Sequence, residues 1–138
     1  MPDDSISRLA AAFYDRTLPK KCWTHQAHLK VGLWTLLHFP PDQALDRLRE
    51  SIRLYNEAYG GVNTDSAGYH ETITRFYVWL IDRFLTTVDR SRTADQLADD
   101  LIRLHGDKDL PFAYWSKERL QSREARLTWC EPDIRPLG

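Results

Sequence analysis

An all-α, single-domain bundle of five to six helices is the fold this sequence predicts, and three observations carry it. Apolar residues recur at steps of three and four along most of the chain, no stretch alternates apolar and polar residues long enough for a strand, and turn formers separate the periodic segments. A chain of 138 residues can bury about two thirds of its unfolded surface in one core. One domain over residues 1–138 is therefore sufficient, and neither an internal repeat nor a low-complexity tract divides it.

The first helix is expected from residue 5 to about residue 16, where Ile6, Leu9, Ala10 and Phe13 share a face and Asp4 or Ser5 can act as N-cap. Thr24 caps a second helix whose apolar stripe is Leu29, Leu33, Leu36 and Leu37, and Pro40-Pro41 ends it. The third has the clearest period, in Leu45, Leu48, Ile52, Tyr55 and Tyr59, with Gly60-Gly61 as its stop. Residues 60–68, GGVNTDSAG, collect turn formers without periodicity and read as a loop. A fourth helix, from about residue 69 to 88, carries Ile73, Tyr77, Leu80, Ile81 and Phe84 on a face wide enough for the centre of the bundle. Thr93 and Gln96 form a capping box for a fifth helix bearing Leu97, Leu101 and Leu104, closed by Gly106. Beyond the break at Pro111, a short helix is expected over residues 116–129. The proline-stiffened tail should dock through Trp129, Ile134 and Leu137, because it is too short to bury them itself.

Composition narrows the function. Nineteen Lys and Arg stand against 20 acids, so the basic excess that a phosphate backbone or an anionic membrane demands is missing, and neither nucleic acid nor membrane is an expected partner. No run approaches the roughly 18 apolar residues of a membrane span, and the acidic start MPDDSISRL does not resemble a signal peptide, which points to a cytoplasmic location. Two cysteines, Cys22 and Cys130, form neither a disulfide framework nor a C-x-x-C pair.

The residues that can carry chemistry gather at two helix starts, as Thr24-His25-Gln26-Ala27-His28-Leu29 and Tyr69-His70-Glu71-Thr72. Histidines three apart on a helix have Cβ atoms about 5–6 Å from each other, so His25 and His28 can reach one ion. The positive end of the helix dipole disfavours imidazolium and keeps a lone pair available. His70 can supply a third ligand from another helix, leaving an open coordination position as in catalytic rather than structural zinc sites. Glu71 lies about 100° around the helix from His70 and suits the role of general base on metal-bound water better than that of ligand.

Plainer readings exist for each residue. His25 and His28 can be polar residues of a first turn, His70 a satisfied core histidine, and Glu71 the partner of Arg75 in an i,i+4 pair. Cys22 extends the spacing in the manner of a structural zinc site but precedes the cap, while His38 and His105 sit at helix C-termini, where the dipole favours the protonated ring. A di-iron carboxylate site would need Glu-x-x-His pairs that are absent, as are a P-loop, a nucleophile elbow, a dinucleotide fingerprint and a haem-attachment motif.

The motifs T-H-x-x-H-L at Thr24 to Leu29, Y-H-E-T-I-T at Tyr69 to Thr74, S-x-x-A-R at Ser122 to Arg126 and P-D-[IL]-x-P-L at Pro132 to Leu137 resemble those of a family of small bacterial proteins, mostly without assigned function. The resemblance spans roughly residues 22–137 and implies the same histidine cluster, but no reaction. The architecture also resembles DinB-like metal-dependent bundles, in which the paired histidines come late in the chain rather than first.

Two functions follow as expectations. One is a metal-dependent enzyme, a hydrolase or lyase acting on a small molecule, with a divalent ion (zinc, iron, nickel or copper) on His25, His28 and His70 and with Glu71 moving protons. The other is a non-catalytic module that binds a small molecule among Trp23, Trp34, Tyr69, Tyr77 and Trp79. Self-association, or assembly with a larger partner, is permitted by the near-neutral surface without being indicated by it.

Overall fold

Residues 5–138 are described by a computed structural model, and every regular element among them is helical. In chain order these are α1 (Ser5–Tyr14), a 3-10 turn at Lys20–Cys22, α2 (His25–His38), α3 (Pro41–Ala58), α4 (Glu71–Thr87), α5 (Ala94–His105), a second 3-10 turn at Leu110–Ala113, α6 (Lys117–Leu120) and α7 (Arg123–Leu127). The all-α bundle is as the periodicity predicts, with seven α-helices among the described residues rather than five or six. The extra helix comes from residues 116–129, which do not form one continuous helix. Ser116 caps α6 by accepting from the Arg119 N–H, and Ser122 caps α7 by accepting from the Ala125 N–H, so a second start signal interrupts the run.

Of the two candidate caps for α1, Asp4 lies outside the described residues. The N–H groups of Ser5 and Ile6 instead donate to the carboxylate of Asp95, at 3.2 and 3.0 Å, so the first turn of α5 closes the start of α1. The Thr93–Gln96 capping box is present in both directions, with bonds of 3.0 and 3.1 Å.

The helix at the centre is α2 rather than α4. It packs against α1, α3, α4 and α5, whereas α4 packs against α2, α3 and α7. A helix buried on several sides shows no single apolar stripe, and α2 buries Leu29, Val31, Gly32, Leu33, Thr35 and Leu36 around most of its circumference. Reading one stripe there understated its burial.

Two apolar clusters result. The larger joins Ile6, Phe13, Leu33, Tyr55, Ile81 and Leu101 from the first five helices. The smaller holds Phe76, Leu80, Trp115 and Leu120, with Trp129 and Leu137 against it, so the tail docks through those two residues while Ile134 stays 58% exposed. Hydrogen bonds pin this segment to α4. The buried Thr72 hydroxyl donates to Thr128 O at 2.8 Å and accepts from Cys130 N at 3.1 Å, and the buried Trp115 indole donates to Cys130 O at 2.9 Å. Tyr77 touches both clusters and marks the seam between them.

Candidate functional site

A chamber of about 400 Å³ opens along that seam. Its walls are Leu29 and Gly32 of α2, Leu48 and Ile52 of α3, and Ile73, Tyr77, Val78 and Ile81 of α4, with Pro111, Phe112 and Leu120 closing it from the C-terminal part. Gly32 makes the room, because a Cβ there would stand 2.9 Å from Ile81 Cδ1. An isolated glycine inside a helical pattern is the sequence signal for this close approach of α2 and α4.

Two of the chamber's polar groups come from the first turn of α2, and Thr74, Tyr77 and Lys108 supply the others. Thr24 caps the helix by accepting from the Ala27 N–H at 3.2 Å, which fixes His25 as the first helical residue and His28 one turn on. His28 donates Nδ1–H to Thr24 O at 2.6 Å, since a carbonyl can only accept, and this leaves the lone pair of the neutral ring on Nε2. Its ring stacks on Trp23 at 3.7 Å, and Trp23 stacks on Phe13 at 4.3 Å. Solvent reaches the His28 ring at the chamber mouth, yet protein atoms crowd it enough that desolvation lowers its pKa, opposed by the Thr24 bond. Burial likewise lowers the His25 pKa, with Asp107 opposing and Lys108 adding. Both imidazoles are therefore neutral at pH 7.

His25 Nε2 and the Tyr77 hydroxyl are buried, and neither has a hydrogen-bond partner among the described residues. Their rings meet edge to face at 5.7 Å, and both line the chamber. Burial raises the Tyr77 pKa, reinforced by Asp107 and Asp109, so the hydroxyl keeps its proton.

The second helix start is built differently. His70 is the N-cap of α4, and it caps with its ring: Nδ1 accepts from the Ile73 N–H at 3.2 Å. Nε2 then carries the proton and donates to Leu120 O at 2.7 Å. Both nitrogens are committed, and desolvation lowers the His70 pKa further. For this ring to bind an ion it would have to release the start of α4 or the end of α6. Among the described residues no group of three or more His, Cys, Asp or Glu side chains is placed to hold a metal ion. His25 and His28 meet at one chamber as their spacing suggests, while the third proposed ligand does not join them in this arrangement.

Glu71 also faces elsewhere. Its carboxylate accepts from Arg49 Nε at 2.9 Å and Nη2 at 2.7 Å, and from the Tyr69 hydroxyl at 2.7 Å. Burial raises its pKa, but these three charge-matched bonds outweigh the burial and hold it below the ordinary value. A carboxylate so engaged binds α3 to the start of α4 and is a poor proton acceptor. Arg75, the i,i+4 partner expected for Glu71, lies over the Trp129 ring instead. Nothing in a sequence separation of 22 residues announces the pairing of Arg49 with Glu71.

Of the five aromatic residues expected around a ligand, Trp23 and Tyr77 line the chamber. Tyr69 lines a second cavity of about 570 Å³ beside the 60–68 loop, which shares the wall of Trp23, His28, Ile52, Ile73 and Thr74 with the first. Gly68 shapes that loop at φ +84, where a Cβ would collide with Val62 O. Trp34 stacks on His38 at 4.2 Å, and Trp79 packs on Phe76 and Tyr114. His105, expected to favour protonation at its helix end, has its pKa lowered by burial. Cys22 is exposed in the first 3-10 turn and Cys130 is buried. No helix of the described residues is long and apolar enough to cross a membrane. Comparison of the chain with family models, with curated proteins and with solved structures finds no match in any of the three.

Proposed function

We propose that this protein binds a small apolar molecule in the chamber between α2, α3 and α4. One observation carries the reading: two buried polar atoms, His25 Nε2 and the Tyr77 hydroxyl, lie without partners among the described residues in the wall of a largely apolar cavity. Buried polar groups are nearly always satisfied, and an orphaned pair in a cavity of ligand size is what a binding site looks like from the protein side.

A neutral fluorescent probe, N-phenyl-1-naphthylamine, tests it. The probe should brighten saturably on the native protein, quench Trp23 in the chamber wall, and lose affinity by about tenfold or more in an Ile73→Trp variant whose helical circular dichroism is unchanged. Equal binding to that folded variant, or no saturable binding, refutes the chamber as a ligand site.

A second reading, a metal-dependent enzyme, keeps one supporting observation. His25 and His28 stand one turn apart at the same chamber, and the Thr24 bond orients the His28 lone pair onto Nε2. The two imidazoles would then hold a divalent ion that would supply Lewis-acid chemistry, with its other ligands from water or substrate, while His70 and Glu71 kept their structural bonds. Zinc titration followed by competition with chelator separates the two readings, because probe binding indifferent to both belongs to the apolar chamber alone.

A further inference from the structure

The charges in and beside the chamber bear on the ligand it would take. Among the residues that line it there is no Asp or Glu, and the same holds for the neighbouring cavity beside the 60–68 loop, although acids make up 20 of the chain's residues. A cationic ligand would lose its hydration with no carboxylate in the lining to pair with it. An anion fares no better. The chamber's one charged lining residue is Lys108, and Asp107 and Asp109 flank it in sequence. With these two acids beside it, the segment carries a net charge of −1, which offsets the lysine's attraction for an anion. What remains is an uncharged molecule that still answers the two orphaned atoms.

Resting on the binding reading above, we infer that the ligand is a neutral apolar molecule with one hydrogen-bonding oxygen function, a hydroxyl, carbonyl or amide, placed between Tyr77 and His25. The Tyr77 hydroxyl donates to that oxygen. The neutral His25 ring either accepts a ligand hydroxyl proton or donates from Nε2, because both tautomers are open to it. Leu29, Val78, Ile81 and Phe112 enclose the apolar body. A site built to bond an oxygen rejects the isosteric hydrocarbon, since binding it would leave buried polar atoms unpaired for good.

Four probes of one shape test the inference at pH 7.5 by equilibrium dialysis: naphthalene, 1-naphthol, 1-naphthoate and 1-naphthylmethylammonium. 1-Naphthol is expected to bind at least about tenfold tighter than each of the other three. In Tyr77→Phe its advantage over naphthalene should shrink to about threefold or less, as expected when one hydrogen bond is removed. The variant deletes a buried hydroxyl that has no partner among the described residues, so its melting temperature should be no lower than that of the parent. Naphthalene binding as tightly as 1-naphthol overturns the inference and leaves the chamber a plain apolar site. A charged probe binding tightest overturns it too, as does a naphthol preference that survives in Tyr77→Phe. If none of the four binds, the binding reading itself falls and takes this inference with it.

Discussion

Replacing His70 by alanine separates a structural histidine from a metal ligand, and the structure sets the size of the effect. The ring caps α4 through Nδ1 and satisfies the carbonyl of Leu120 through Nε2–H. Loss of an N-cap costs about 0.5–2 kcal/mol. A carbonyl left without a donor, on a residue only 2% exposed, adds about 1–3 kcal/mol. The sum is about 1.5–5 kcal/mol, which for a domain of this size corresponds to roughly 5–18 °C in melting temperature. His70→Asn keeps a capping oxygen but is too short to reach Leu120, so it should lose about half as much. The assay is urea unfolding followed by circular dichroism, run with and without EDTA. The alanine cost should be the same in both. A cost that appears only without chelator would make His70 a ligand, and a cost below about 0.5 kcal/mol, the floor for a lost cap, would refute the double hydrogen bond.

Other expected outcomes follow from the same contacts. Glu71→Gln weakens the fork with Arg49, whose side chain is 31% exposed and so partly screened, and should cost about 1–2 kcal/mol in the same unfolding assay. Thr72→Val leaves Thr128 O and Cys130 N without their shared partner and should cost about 1–3 kcal/mol, read as a shift in urea midpoint at constant slope. Removing residues 129–138 takes away the acceptor of the Trp115 indole and the Trp129 ring that meets it edge on at 5.6 Å, so thermal melting should fall by more than it does in any single variant here. Stability should also decline with pH. The native pKa values of His25, His70 and His105 lie below the ordinary 6.5, so the unfolded chain binds more protons. Stability is then full above about pH 7 and falls as pH drops through 6.5 toward the native values. A flat profile between pH 7 and 5 would contradict the burial of these rings.

The elements were legible in the sequence and much of the candidate site was not, for a physical reason that Thr24, His70 and Glu71 illustrate. Capping is local: Thr24, Thr93 and the Gln96 partner act on N–H groups two or three residues away, so their pattern survives in one dimension. The pair His25 and His28 is local in the same sense, and the structure places both rings at one chamber. What the other members of the motif do depends on groups that sequence order does not bring near. Leu120 stands 50 residues from the His70 ring it binds, and Arg49 stands 22 before Glu71. Each of these contacts converts a residue with catalytic vocabulary into a fastener between helices. Such fastening still bears on the site. His70 ties α6 to the start of α4, which positions Leu120 as one wall of the chamber, and the Arg49–Glu71 fork ties α3 to the same turn, which positions Leu48 and Ile52 as another. The Y-H-E block therefore holds the walls, and the T-H-x-x-H block supplies the polar groups they enclose. On this division, substitutions at Glu71 and His70 should alter ligand affinity only in proportion to the stability they remove, whereas Tyr77→Phe, which keeps the packed ring and removes a hydroxyl without a partner among the described residues, should change affinity while leaving stability almost untouched.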